Sequence, residues 1–553
     1  MVSENGKLKH WIDALVDWLE KRLQDRLKKL NKDVIVFNGG LSVSGLQHVG
    51  RLRGEIIIPE VVRRILEKRG YRIVQYLTLY TQDAWKGKKP QLEQFDDIEK
   101  AKKYTGWPLA RVPDPKGCHE NWVEHYWSDF GPYIKEFTDG KIRVITTTEL
   151  YKGKLLDFTL WTIRVKSDVV RVVNKYRGRK PYPEDWIPYE PLCGKCGRID
   201  SSKAIEVDLN NKTVKYKCHN CGFEGTCSLS DGKLNWRIEW VGVWWSLSVD
   251  FEPYGKDHAT PGGSRDSACD IARNVYGIEP PEGIPYEWVA YRSDGDQVDM
   301  SSSDFQGFTP REWLSVAHAE VLRFLYLRTP PMRKVILSLR DVPNYYSLYY
   351  KAERIYYGVE EPQTQEEKVL MARSYELSYI HGEPPTRMPA QPPYTHVAIL
   401  AQLVPEKLWP DEPIRRLVRS GHLPSTPSQV DVERVRSLLP KCLNWARKYA
   451  PDSMRIKLLE EVDKKFVALI PSWVRETFKL LAKKLESLET WSEEAIKEVF
   501  ISIGSKWDQQ TRKQFYKYFY MIFVGKESGP RAAPLLALLD REFVISRLLE
   551  VAG

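Results

Sequence analysis

The chain has 553 residues, 42% of them hydrophobic, and a formal net charge of +10. That length leads us to expect about three or four domains with real cores, and the basic balance fits a polyanionic partner without requiring one. No apolar run approaches the roughly 18–20 residues of a membrane span, and nothing at the N-terminus resembles a signal-peptide core, so the expectation is a cytoplasmic protein with no membrane partner.

Residues 8–30 set Leu8, Trp11, Ile12, Leu15, Val16, Leu19, Leu23, Leu27 and Leu30 at helical spacing, with a charged opposite face. Val34 to Phe37 is a short apolar run typical of a buried parallel strand. A glycine- and serine-rich turn, Asn38 to Gly45, leads through His48-Val49-Gly50 into a helix over 51–69. That helix is expected to be interrupted or kinked at Pro59 and closed by Gly70. Tyr71 to Leu79 reads as the next strand, giving a βαβ unit and a parallel sheet. A strand–turn–helix joint of this kind offers free N–H groups to a phosphate. Such turns are also ordinary punctuation, and for this joint alone that plainer reading has the edge.

Residues 83–190 read as mixed and mostly helical, with frequent proline and tryptophan. Then Cys193-x2-Cys196 and Cys218-x2-Cys221 flank a hairpin turn at Asp208 to Thr213. In an intracellular chain this spacing points to a four-thiolate zinc ribbon, structural because it leaves no open coordination position. Cys227 reads as a spare thiol. Asp114, Cys118, His119 and His125 form a second set of competent zinc ligands. The alternative for these is a cysteine and histidines in an aromatic core.

Residues 234–300 return to an α/β pattern with a helix from Ser264 to Tyr276. Gly255-Lys256-Asp257-His258 forms a turn whose aspartate suits a ribose hydroxyl. Met300-Ser301-Ser302-Ser303 lies in a polar loop before Thr309-Pro310, a helix start with proline at its first position. From Pro310 onward the pattern is almost entirely helical, broken by the proline-rich stretch from Pro384 to Pro393.

Taken in order, these strings resemble the archaeal-type class I lysyl-tRNA synthetases. His48-Val49-Gly50-Arg51 resembles the family's HIGH element, and Met300 to Ser303 its KMSKS loop, often KMSSS. Arg111 to Pro115 with Gly117 to Glu120 and Glu124-His125 resembles IPDPFGCHE…EH. Thr148 to Lys152 and Pro183 to Trp186 resemble TELYK and PEDW. Asp250 to His258, Gly262 to Ser264 and Pro285 to Trp288 resemble DFEPFGKDH…GGS and PYEW.

The resemblance implies a Rossmann-type parallel-sheet catalytic domain split by a zinc-containing insertion and followed by an all-α C-terminal region. The expected division is 1–100 and 235–305 for the catalytic halves and 101–234 for the insertion. A stem-contact domain follows at 306–370 and an anticodon-binding domain at 371–553. By the same resemblance, His48 and Met300, Ser301, Ser302 and Ser303 would be catalytic. Ser44, His48, Gly50, Gly255 and Asp257 would bind ATP. Gly40, Ser42, Trp240, His258 and Tyr286 would line the lysine pocket, with Trp236 the rival for the tryptophan. Asp114, Cys118, His119 and His125 would hold a second zinc. Lysine, ATP with Mg2+ and tRNA(Lys) are the implied partners, and the oligomeric state is left open.

Two departures stand out. The lysines of the loop motif fall on Asp299 and Ser302, and the lysine that often follows falls on Asp304. Losing such a phosphate contact typically costs about a hundredfold in rate. Arg292, Lys256, Lys86 and Lys88 are the candidates to compensate. The stretch Thr81-Gln82-Asp83-Ala84-Trp85 is also poorer in aspartate than the family pattern. The expectation is therefore a lysine-charging enzyme, with a catalytically impaired, tRNA-binding paralogue as the alternative.

Overall fold

The computed structural model describes residues 8–293 and 295–553, so the reading of the extreme N-terminus lies partly outside the described residues. The chain forms two compact units. The first comprises 1–312, 322–337 and 363–383, and the second 313–321, 338–362 and 384–553. The longest segment of the second unit begins at Pro384, where the proline-rich stretch begins.

The first unit is built on β1 (Ile35–Leu41), β2 (Ile73–Leu79) and β3 (Arg143–Thr146), all parallel. β1 and β2 run in register from Ile35 opposite Ile73 to Leu41 opposite Leu79. β3 comes from inside 101–234, the stretch expected to be an insertion. On the other side of β1, Phe251 bridges Phe37 and Glu282 bridges Phe251, both in parallel. The chain thus returns some 200 residues later to extend the sheet it began (251 against 37).

The turn expected from Asn38 is shifted. Asn38, Gly39 and Gly40 stay in β1, because the ladder with β2 continues and the Asn38 Oδ1 accepts a hydrogen bond from the Thr78 hydroxyl at 2.8 Å. The turn proper starts at Ser42. A Cβ on Gly39 would strike the carbonyl of Glu55, so glycine lets the following helix approach the strand.

That helix is not simply kinked at Pro59. A short turn at Gly50–Leu52 is followed by a π turn at Arg53–Ile57 and a regular helix at Ile58–Lys68. Pro59 has no N–H for the Glu55 carbonyl and its ring crowds that oxygen, so the backbone widens one turn upstream. The widened turn presents Arg53 to four carbonyls, those of Glu287, Thr329, Pro330 and Arg333, at 2.8–3.2 Å.

α1 (Trp11–Leu30) begins at an N-cap, His10, whose Nδ1 accepts from the Ile12 N–H. It buries Trp11, Ile12, Val16, Leu19 and Leu23, matching the apolar stripe in the sequence. Its far end is tied in by Asp250, which is fully buried. The Asp250 carboxylate accepts from Arg26 at 2.7 Å, Lys32 at 2.6 Å and the Val36 N–H at 2.8 Å.

The cysteine-bearing stretch forms an antiparallel sheet of Ser202–Asp208, Thr213–Cys218 and Glu224–Ser228. The expected hairpin turn is present, with Asp208 accepting from the N–H groups of Asn210 and Asn211. The helical tail has one exception, Val335–Leu337, a short strand pairing in parallel with Val289–Ser293 inside the first unit. Among its described residues the second unit contains helices and no strand. Tyr394–Leu403 packs along Gln429–Lys448, and Ser472–Glu486 along Arg541–Ala552. Among the described residues no helix is long and apolar enough to cross a membrane.

Asp250→Asn leaves the partly buried Arg26 and Lys32 short of a charge. It should cost about 3–5 kcal/mol, read as a fall in the denaturant midpoint of the first unit.

Candidate active site and metal clusters

A cavity of about 730 Å3 opens at the C-terminal ends of β1 and β2. Three separate stretches meet there. The β1–helix joint contributes Gly40, Ser42, Ser44, His48, Gly50 and Arg51. The turn after Phe251 contributes Gly255, Asp257 and His258, and Tyr286 lies beside them. The loop from Asp299 to Asp304 closes the third side with Met300, Ser301, Ser302 and Ser303. Trp240 and its rival Trp236 both line the cavity, their rings 5.3 and 5.9 Å from that of His258. Every residue expected to act on ATP, lysine or catalysis therefore faces one space.

His48 is buried, its Nδ1 has no protein partner among the described residues, and burial holds its pKa well below the usual imidazole range, with nearby Arg51 adding to the shift. It is a neutral ring at neutral pH. Gly54 stands one turn on. A Cβ there would collide with the Tyr286 ring, so glycine sets how closely that tyrosine covers the helix.

The sequence reading missed the carboxylates of the floor. Glu55, Glu239 and Glu252 all line the cavity and all are buried. Glu55 accepts from the Tyr286 hydroxyl and from the Gly40 N–H at 2.9 Å, and burial pushes its pKa up to about 7. Glu252 accepts from the indoles of Trp240 at 3.0 Å and Trp244 at 2.5 Å. Glu239 accepts from the Tyr151 hydroxyl at 2.8 Å. Burial raises the pKa of both Glu239 and Glu252. Buried Lys233 lies 2.9 Å from Glu239 and 2.6 Å from Asp83, a further carboxylate lining the cavity, so one protein cation is shared between Glu239 and Asp83. A signal existed for Glu239: it is the only acid in WRIEWVGVWWSL, an otherwise largely apolar helix.

The serine loop carries no cation of its own, but cations reach it. Lys88 Nζ lies 2.9 Å from the Ser303 hydroxyl and 3.1 Å from both oxygens of Asp304. Arg51 donates to the Ser302 hydroxyl at 2.9 Å, and Lys334 pairs with Asp299 at 2.7 Å. Of the other candidates, Lys256 pairs with Glu287 at 2.6 Å, while Arg292 sits on a strand opposite Gln297.

Both expected metal sets are gathered. The sulfurs of Cys193, Cys196, Cys218 and Cys221 all lie within 4.8 Å of one another, the nearest at 3.6 and 3.7 Å. Zn–S bonds of about 2.3 Å in a tetrahedron need sulfurs roughly 3.8 Å apart, so the set fits. Cys227 stands outside the group, on the third strand, its thiol pushed up to about 12 by burial. In the second set, Cys118 Sγ is 3.1 Å from His119 Nδ1 and 3.3 Å from His125 Nδ1. Asp114 Oδ1 is 2.9 Å from His125 Nδ1. The aspartate side chain is buried beneath the half-exposed ring of His119, not lost in a core.

Residues 9–381 match the family described as tRNA synthetases class I (K), and 450–552 match an anticodon binding domain. The chain belongs to the class I (K) tRNA synthetases. A lysine–tRNA ligase from Aeropyrum pernix is 54% identical over 546 residues, 98% of each chain. Lysine–tRNA ligases from Pyrococcus horikoshii and Pyrococcus furiosus are 33% and 31% identical, covering 98% of this chain and 99% of theirs. In this class I synthetase the cavity and both metal sets fall within the family match.

Proposed function

We propose that this class I synthetase is a lysine–tRNA ligase. The observation that carries the reading is the cavity itself. A strand–helix joint, a Gly-x-Asp-His turn and a serine loop meet over a floor of buried carboxylates. The full-length likeness to proteins named lysine–tRNA ligase supports the same substrate.

The chemistry divides along the cavity. ATP would lie against the joint, with Ser44, His48 and Gly50 at the phosphates and Gly255 and Asp257 at the adenosine. A neutral His48 donates a hydrogen bond without competing for a proton. Lysine would lie deeper, against Gly40, Ser42, Trp240, His258 and Tyr286. Its ammonium groups would be met by Glu55, Glu239 and Glu252. A bound ammonium favours ionised Glu55, offsetting the burial that raises its pKa. The lysine carboxylate attacks the α-phosphorus and pyrophosphate leaves. The 2′-hydroxyl of the terminal adenosine of tRNA(Lys) then takes the lysyl group and AMP leaves. The protein supplies positioning and charge, with no covalent intermediate on a side chain. Magnesium bound with ATP would add phosphate neutralisation.

The missing motif lysine is replaced, in this reading, by Lys88. It reaches the loop from the segment after β2 and sits where Ser303 and Asp304 hold it at the cavity rim. Arg51 is the second cation at the same loop. The acids that favoured an impaired paralogue are thus neutralised by lysines from elsewhere, and the active enzyme is preferred. The two metal sets are assigned to zinc in the stretch from 101 to 234, where they brace loops and take no part in the reaction. The 371–553 stretch, helical and ending in the anticodon-binding match, would grip the tRNA with salt-dependent affinity.

The purified protein should charge tRNA with labelled lysine and not with glutamate, glutamine or arginine. His48→Ala should abolish lysine-dependent ATP–pyrophosphate exchange while tRNA binding in a gel-shift assay persists. Failure of the parent to charge any amino acid would leave the paralogue reading.

Lys88→Ala should lower kcat for that exchange about a hundredfold, with Lys88→Arg recovering most of it. Equal rates for the alanine variant would remove Lys88 from the mechanism.

Cys196→Ser with Cys221→Ser should lose one zinc equivalent by metal analysis. His125→Ala should lose another, each with a lowered melting temperature.

A further inference from the structure

A third convergence of metal-binding side chains lies in the second unit, far in sequence from both zinc sets. His396 lies early in the helix Tyr394–Leu403, and His422 in the turn after Asp411–Arg419. Glu493 is the first residue of Glu493–Gly504. The two imidazoles aim their Nε2 atoms at the same carboxylate oxygen, Glu493 Oε2, at 2.8 and 3.0 Å. Their ring centroids are 4.3 Å apart.

The Ser420 hydroxyl lies 3.2 Å from the Leu417 carbonyl and 2.9 Å from His422 Nδ1. Where it donates to that carbonyl it accepts from Nδ1–H, which is also the tautomer that a metal bound at Nε2 requires. The His422 Nε2 then presents a bare lone pair to a carboxylate oxygen. Two acceptors 3.0 Å apart need a positive charge between them. The His396 Nδ1 is buried with no hydrogen-bond partner among the described residues, so without an ion the neutral ring keeps its proton on Nε2 and donates it to Glu493 Oε2. An ion between them would take the His396 ring in its other tautomer, and the three ligand atoms already lie within 4.8 Å of one another. We propose that His396, His422 and Glu493 bind a divalent transition-metal ion, with zinc the best match. Two imidazoles and a carboxylate suit zinc and its neighbours over calcium or magnesium.

Zn–N and Zn–O bonds of about 2.0–2.1 Å set ligands roughly 3.3 Å apart, so the side chains need open by only a few tenths of an ångström. The Ser420 hydroxyl serves as the outer partner that orients the His422 ring. The carboxylate side chain is 27% exposed, leaving one face for a water as fourth ligand. The ion would tie three helical segments of the unit together, and this assignment is independent of the reaction proposed for the first unit.

Glu493→Gln provides the test, since a glutamine oxygen still accepts an imidazole N–H but is a poor metal ligand. The full-length parent, Glu493→Gln and His422→Gln would be loaded with zinc, passed through gel filtration and assayed for metal and protein. We expect each variant to hold one zinc equivalent fewer than the parent. Adding zinc after mild chelation should restore the melting temperature of the second unit in the parent but not in Glu493→Gln. Equal zinc content in the parent and a folded Glu493→Gln would overturn the proposal and leave a hydrogen-bonded cluster. Should His422→Gln fail to fold by circular dichroism, the glutamine variant at 493 decides alone.

Discussion

The carboxylate of Asp250 holds the first unit together. It is fully buried and meets a strand N–H from β1 and two cations at the end of α1. Its own N–H donates to the Val36 carbonyl at 2.7 Å. One residue on, Phe251 enters the sheet beside Phe37. The sheet begins near residue 35 and is completed near 251 and 282. A long excursion must close before the cavity exists, and closing it costs chain entropy. A buried charge satisfied from three directions tolerates no other register, because any slip leaves it unpaired. The position of Gly255 and Asp257, a few residues downstream, follows from that anchorage.

The same logic shapes the cavity floor. Burying Glu55, Glu239 and Glu252 is unfavourable for folding, and burial raises the pKa of each. The protein offsets part of this with hydrogen bonds from Tyr286, Tyr151 and two indoles, and with Lys233. It does not neutralise the whole group. A site left short of positive charge is suited to a ligand that brings its own, and lysine brings two ammonium groups. Selectivity against glutamate follows, since a second carboxylate would meet the same floor with the same sign.

Much of this was legible because it is local. The helix Trp11–Leu30 follows from the 3.6-residue stripe, and the helix Ser264–Tyr276 lies where the sequence places it. All the cavity-facing residues named from motifs do face one cavity. The misses are non-local. Asn38 to Gly40 look like a turn in isolation, yet the ladder to β2 keeps them in the strand. The π turn at Arg53–Ile57 depends on where the Pro59 ring lands on the Glu55 carbonyl. The floor carboxylates sit on three different elements, so no spacing rule links them. Lys88 could be named as one candidate among four, but only the folded chain brings its ammonium group to Ser303.

The candidate metal ligands show the same divide more sharply. Asp114 to His125 fall within one short segment, and the Cys193/Cys196 and Cys218/Cys221 pairs lie at the open end of one hairpin, so the chain closes only small loops to gather them. Spacing alone can reveal such sets. His396, His422 and Glu493 are spread over three helical segments, and their loops are longer and irregular. Closing a loop costs entropy that rises only slowly with length, so distant ligands are thermodynamically acceptable once helices hold them in place. They leave no spacing signature for the same reason: packing of the helices does the gathering, and the ligands need not be neighbours in sequence. The stabilisation flows in both directions, because an ion bound only by the assembled unit favours the assembled unit.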